Sequence, residues 1–522
     1  RHRGWYEALA TEAWQGLRGA DQVPWLDRLG HEHADLSAAI RSAIATAPAR
    51  AVAMCAHLAW YWWLRDHGRE AIDLLTDSIA AARNAGPGQT HEGASDASPH
   101  QAPETAPEQA PEQAIGQAPD APPEVGGPDL AVATAWLAFL ALFQGAPPDH
   151  VRELLARMEA DAASTSLPDE AAMVVGVVGG FVALAAGGDP EEALAAIEAG
   201  ERHAEAAGDR WAVAAAAFCR AQGLASLGRP DEAAAEARRA VEVAAAVGDR
   251  WGQFQAHQWQ GVYEAARGHY AAADGHYEVA MELAHVLGLG ELAAGLEAQR
   301  AMVWMLDGQL DRARRHLEGV LADAADGLPP DAALAHHGLG QVSHRRGDHE
   351  TAVHHHRVAV ELFTRAGEPG ACGEARAHVA FSRAALGDGP GAAAAARRAL
   401  AETRGSGPRS VALAAESAAA AAAALDAPEL AVEFLAVGAG LRRAQGLPLV
   451  GGERHDVDAV IARIRGGAPE ALPARRPDAA TDTDVAGLLA GLDDLAARLD
   501  DLVAGPDGRS GPGAHDHGSS AG

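Results

Sequence analysis

The sequence predicts an all-α protein, a right-handed α-solenoid of helical hairpins recurring about every 40 residues. Three observations carry that expectation. Hydrophobic residues make up 48% of the 522-residue chain but Phe, Trp and Tyr only 5%, so the apolar fraction is chiefly Ala, and strand formers are scarce. Glycines recur in phase at Gly188, Gly228, Gly268, Gly308, Gly347 and Gly387, each followed five residues on by an alanine: Ala193, Ala233, Ala273, Ala313, Ala352 and Ala392. A second series, Gly208, Gly248, Gly288, Gly327 and Gly367, marks the opposite turn at the same period and twice opens the string Gly-Asp-Arg-Trp, at 208–211 and 248–251.

Paired antiparallel helices explain the phase. A glycine ending a helix adopts the left-handed conformation that other residues resist. Pro190, Pro230 and Pro390 fall in first turns, where a missing N–H costs nothing. Small residues seven before the turn (Ala221, Gly261, Ala301, Gly340, Ala380) and twelve after it (Ala240, Ala280, Ala359, Ala399) let helices approach closely, and Asp426 with Ala431 continues the phase into a seventh unit. No hairpin can bury its apolar face alone, so stacking is obligatory. The pattern resembles the tetratricopeptide repeat, lengthened by extra helix at the turn between repeats.

Around the array the elements follow in order. Residues 1–85 read as four helices, the first with the stripe Trp5, Leu9, Ala13, Leu17 and the second capped by Asp21. Residues 86–128 read as a disordered linker, with nine prolines and a tandem Ala-Pro-Glu-Gln run. The solenoid then spans 129–466, ending in a short helix near 455–465, and 467–482 is a second linker. Within 483–504, Val485, Leu488, Leu492, Leu495, Leu499 and Leu502 form a 3-4-3-4-3 seam, which either docks on the solenoid or pairs with a second copy as a homo-oligomer. Residues 505–522 read as a disordered tail. The chain opens on Arg1, which suggests a segment of a longer protein, and no secretory signal follows. Two charge-poor stretches, 130–148 and 171–188, fit the repeat and read as buried helices, not membrane spans.

Specific strings flank the Ala-rich middle: Trp5-Tyr6, Leu17-Arg18-Gly19, Asp21-Gln22, Trp25-Leu26-Asp27-Arg28-Leu29, Glu32-His33 and Asp35-Leu36, then Trp60-Tyr61-Trp62-Trp63-Leu64-Arg65, and near the other end 441–448, Leu-Arg-Arg-Ala-Gln-Gly-Leu-Pro. Together they resemble the C-terminal helical half of actinobacterial signal-transduction ATPases of the STAND class, especially SARP-type activators and LuxR-type transcriptional regulators. The resemblance implies a cytoplasmic sensing region controlling a DNA-binding and ATPase portion that is not in these residues. ATP or ADP and Mg are implied there, with no cofactor here. A free-standing scaffold of the same repeats is the alternative.

Composition narrows the chemistry. The net charge is −30 and there is no lysine, which excludes P-loop phosphate binding and Schiff-base chemistry in these residues and argues against direct nucleic-acid contact. Cys55, Cys219 and Cys372 stand far apart and read as buried thiols in a reducing compartment. No catalytic constellation stands out. His336, His337, His344, His349, His354, His355 and His356 cluster in sequence but offer no i,i+4 pair, so they read as a solvated face rather than a metal site. The arginine pairs 238–239, 314–315, 397–398 and 442–443 read as a solvated outer face. The tetratricopeptide resemblance implies that the first helix of each hairpin lines a concave groove for a protein or peptide. Its offsets select Phe218, Gln222 and Ser226, then Gln255 and Gln258, Met302 and Met305, His337, Gln341, His344 and Arg345, and finally Glu374 and Phe381. The parent's own nucleotide-binding domain is a second implied partner.

Limited proteolysis checks the organisation: first cleavage is expected within 86–128, where prolines are dense and little can be buried. Resistance of that segment would show a folded element in its place.

Overall fold

The computed structural model describes residues 2–85, 127–323, 329–446, 449, 451–471 and 485–504. These form α-helices with two short 3-10 turns, and no strand occurs among the described residues. Of the expected 86–128 linker, residues 86–126 lie outside them, as do most of the 467–482 linker, Gly327 and the tail, while 127–128 open a helix and so shorten the linker by two residues. The helices sort into two compact units, 1–223 with 239–253, and 224–238 with 254–522.

The first unit holds α1 (His2–Gly16), α2 (Gln22–Thr46), α3 (Pro48–Leu64), α4 (Gly68–Ala85), α5 (Gly127–Phe143), α6 (Pro148–Ala163), α7 (Asp169–Ala185) and α8 (Pro190–Ala207). The unit boundary falls within α9 (Arg210–Ser226), α10 (Pro230–Val247) and α11 (Arg250–Ala266). Trp60 of α3 is central to the core, with ring centroids 5.5 Å from Trp211, 6.1 Å from Trp136 and 6.3 Å from Trp251. The repeated Gly-Asp-Arg-Trp string therefore has a packing purpose: each tryptophan enters this aromatic cluster. Its aspartates receive the α1–α2 turn. Arg18 Nη1 donates to Asp209 Oδ2 at 2.5 Å, and Gln22 Nε2 donates to Asp249 Oδ1 at 2.8 Å while Gln22 Oε1 accepts from the Trp251 amide at 3.0 Å.

The second unit continues through α12 (Tyr270–Leu287), α13 (Gly290–Leu306), α14 (Leu310–Asp323), α15 (Pro329–Arg345), α16 (His349–Ala366), α17 (Pro369–Ala385), α18 (Gly389–Glu402), α19 (Pro408–Ala424) and α20 (Pro428–Ala444). A 3-10 turn at Gly451–Arg454 leads into α21 (His455–Gly467), and α22 (Val485–Ala504) follows. Gly228, Gly268, Gly308, Gly347 and Gly387 all have φ between 69° and 81°, as left-handed helix ends require. At the first turn the sequence phase is off by one: Gly187 (φ 80°), not Gly188, takes that conformation. Asp426 (φ 55°) replaces glycine at the seventh turn, a position short polar side chains tolerate.

Close packing explains the small-residue series. A Cβ on Gly261 would lie 3.0 Å from the Tyr277 ring, and one on Gly340 would lie 2.6 Å from the His356 ring. Glycine thus stands where the residue sixteen positions on is an aromatic ring. Ala301 and Ala380 serve where it is Leu317 or Ala396, and all four of these residues are fully buried. The turn-plus-five alanines are likewise buried throughout. The 3-4-3-4-3 seam of α22 is used within the unit: Leu492, Leu495 and Leu499 join the core formed by α18–α20, and Arg498 pairs with Glu433 at 2.6 Å. Leu502 stays exposed. Among the described residues no helix is long and apolar enough to cross a membrane.

Gly340→Ala is expected to destabilise by about 1–3 kcal/mol through overpacking against His356. The double variant with His356→Ala is expected to lose less than the two single losses added, because the pair shares one space. Strict additivity in urea unfolding would show that the two positions do not share it.

Candidate functional site

The first helices of the hairpins supply the expected groove positions, and the structure places them unequally. Phe218 and Gln222, on α9 in the first unit, are half-buried, and Phe218 packs beside Val177 and Ile197; Ser226 at its end is exposed. In the second unit Gln255 and Gln258 of α11 and Met302 of α13 are half-buried. Met305 and Phe381 are core residues, 1% and 4% exposed. Glu374 of α17 accepts a hydrogen bond from Ser410 Oγ at 2.6 Å. His337, Gln341, His344 and Arg345 come together on α15, and each has a partner within this unit.

Those partners belong largely to a segment of the same chain. Arg345 Nη2 donates to the Gly452 carbonyl at 2.6 Å, and the Gly452 amide donates to Tyr270 Oη at 3.1 Å. His344 Nε2 lies 2.9 Å from Asp456 Oδ1, and its Nδ1 lies 2.9 Å from Ser382 Oγ. Arg409 pairs with Glu453, and Arg463 Nε donates to the Ala423 carbonyl at 3.0 Å. Val457, Val460, Ile461 and Ile464 of α21 are buried in the core shared with α19. Gly452 fits because it has no Cβ, which would meet the Leu306 carbonyl. The 451–464 segment therefore already covers part of the first-helix face of the second unit. Burial pulls the Arg345 guanidinium below its usual value, against the opposing charge of Asp456. Burial alone would raise the Asp456 carboxyl, but His344 beside it holds it at about 2.

Sequence reasoning selected His344 and Arg345 but missed Tyr270, Gly452, His455 and Asp456. The contacts span 107 to 182 positions, so no periodicity reports them. The adjacent glycines 451–452, followed by charged residues, were the local signal available.

Two expectations are corrected. The histidine-rich stretch is not a uniformly solvated face: His356 is fully buried and His344 is 8% exposed, while His336, His337, His349 and His355 are half-buried and His354 alone among them is exposed. The hairpin geometry, not i,i+4 spacing, collects them. Residues 19 apart face each other across a hairpin, giving His257–His276 and His336–His355 with Nδ1 atoms 2.9 Å apart, and a His337–His356 ring contact at 5.2 Å that His378 joins at 5.3 Å. Nor are all arginine pairs solvated. Arg442 is 6% exposed and holds the buried Glu416 through two hydrogen bonds at 2.6 and 2.8 Å, because an unpaired buried carboxylate would be too costly there. The three cysteines are free and buried.

No family model matches the sequence, and no curated protein matches it. Among solved structures, the chain is similar to a STAND protein with a tetratricopeptide repeat sensor from Pyrococcus horikoshii, at 11% identity and a TM-score of 0.43 over 65% of this chain. It spans 46% of that protein, less than half its length. A Rap protein complexed with competence and sporulation factor is similar at 12% identity and a TM-score of 0.49, over 71% of this chain and 99% of that one. Aspartyl phosphate phosphatase F from Bacillus subtilis is similar at 13% identity and a TM-score of 0.44, over 62% and 84%.

The histidines carry a pH consequence. Burial lowers His257 to about 4 and His378 to about 3, and lowers His356 and His337 as well. The unfolded chain takes up these protons first as pH falls below about 6.5. Stability is thus intact above that pH and is lost as pH falls toward the folded values. His257→Gln and His378→Gln should each shrink the loss of urea resistance between pH 6.5 and pH 4.5 relative to the unsubstituted chain. Identical losses in all three proteins would contradict neutral burial.

Proposed function

We propose that the chain is the signal-sensing, protein-binding tetratricopeptide-like region of a STAND-type transcriptional regulator of the SARP or LuxR kind. The observation that carries the sensing role is the 451–464 segment on the first-helix face. Tyr270 and Arg345 hold its backbone at Gly452, and backbone recognition of this sort suits an extended peptide of varied sequence. Beside it, Gln255, Gln258 and Met302 present amide and thioether groups only half-buried, the adaptable side chains that peptide-binding surfaces favour. The regulator assignment is supported by the flanking strings, of which Arg18 and Gln22 clasp the repeated Gly-Asp-Arg-Trp turns.

In this reading a protein or peptide signal engages the face centred on Gln258, Met302, His337, Gln341 and Arg345. It biases the array between two curvatures, and the parent's cytoplasmic nucleotide-binding and DNA-binding portion responds. The coupling requires a signal that binds one state better than the other. The test is a reporter assay in the parent regulator carrying Gln258→Ala and Met302→Ala together, leaving Arg345 and its hold on Gly452 in place. Response to the natural signal should fall about tenfold or more in sensitivity, as expected when contacts worth about 1.4 kcal/mol or more are removed. A folded double variant with unchanged sensitivity would remove the face from the signalling path.

A further inference from the structure

We propose that His344, His455 and Asp456 form a binding site for a divalent transition-metal ion, of the zinc class, that clips α21 to α15. One ligand atom from each of the three lies within 4.8 Å of the other two. Two imidazoles with one carboxylate is a donor set that zinc takes in sites with an open fourth position. Tetrahedral bonds of about 2.0–2.1 Å separate neighbouring ligand atoms by about 3.3 Å, so small side-chain rotations suffice to close the set.

The orientation and access of the donors suit a bound ion at this point. Ser382 Oγ engages His344 Nδ1 at 2.9 Å, which orients the ring and leaves Nε2 directed toward Asp456. Oriented rings of this kind are what metal-binding histidines require. His349 lies against the other edge of the ring, its Nδ1 3.2 Å from His344 Nδ1, so the fourth position is left to solvent. Of the nearby acids, Glu453 is paired with Arg409 and Asp458 with Arg454, so the Asp456 carboxylate is the charge that would face the ion. His344 is buried while His455 is exposed, so an ion can enter from the solvent side and meet a fixed donor inside.

The consequence concerns the segment on the first-helix face. His344 belongs to α15, and His455 and Asp456 open α21, so a bound ion joins two elements that otherwise meet through the His344–Asp456 hydrogen bond. Binding would hold the segment in place. The site does not rest on the regulator assignment.

The experiment titrates zinc(II), against a chromophoric chelator, into the full chain stripped of metal, and records the visible band of cobalt(II) as a geometric probe. One zinc per chain is expected, with a tetrahedral cobalt band. His455→Gln and Asp456→Asn should each weaken binding by at least about tenfold to a hundredfold, the loss that even supporting residues cause. The exposed His455 can be changed without disturbing the core, which circular dichroism verifies. His336→Gln with His355→Gln should leave binding unchanged. Absence of stoichiometric binding, or tight binding that survives both His455→Gln and Asp456→Asn, would overturn the site. Zinc binding that depends on His455, in a parent whose signal response ignores the first-helix face, would uphold this site and sink the sensing role.

Discussion

The second unit depends on one repeated close approach, the small residue of each first helix against the side chain sixteen positions later on the second. Where that side chain is Tyr277 or His356 the small residue is glycine, and where it is Leu317 or Ala396 alanine suffices. A helical glycine costs roughly 1 kcal/mol relative to alanine, so its presence inside α11 and α15 marks places where contact outweighs propensity. The approach sets the crossing of each hairpin. It therefore also sets which side chains on the first helix remain available to anything outside the stack.

The first unit solves a different problem with polar groups. Gln22 is fully buried, and the Asp249 it meets is 3% exposed. Burial raises the Asp249 carboxyl, while hydrogen bonds from Gln22 and nearby amides partly offset the cost. Such a set tolerates no slippage, because a shift of one residue would leave buried groups unpaired. The α1–α2 turn is thereby tied to the turns before α9 and α11, and the recurring tryptophans seal the arrangement with apolar area.

The array was legible because repetition amplifies weak signals: five or six in-phase glycines and alanines identify a hairpin that no single one could. Legibility failed where an element acts once. Gly188 satisfied the spacing, but the backbone turns at Gly187, since two adjacent glycines leave the choice to the surrounding helix ends. The histidine-rich stretch misled for a related reason. Spacing along one helix says nothing of contacts across a hairpin, and the 19-residue hairpin offset is what joins His336 to His355 and His337 to His356. That offset was present in the sequence, since the period and turn positions imply it. The 451–464 segment was not, because only tertiary packing pairs Tyr270 with Gly452.

Self-occupancy changes how affinity on the first-helix face must be understood. A segment tethered by its own chain acts at an effective concentration set by the connection, of the order of millimolar for short flexible links. An incoming peptide that overlaps it sees an affinity reduced by the fraction of chains in which the face is open. If that fraction were about 1%, a contact set with intrinsic micromolar affinity would read as about 100 µM. Loosening Tyr270, Arg345 or His344 from the segment would raise that fraction, and with it the affinity any such peptide would show. Side chains that hold the segment and side chains that would hold a partner are therefore thermodynamically coupled even where they share no contact. The same Arg345 can strengthen binding directly and weaken it by competition, so the sign of its net effect depends on which contact it makes better.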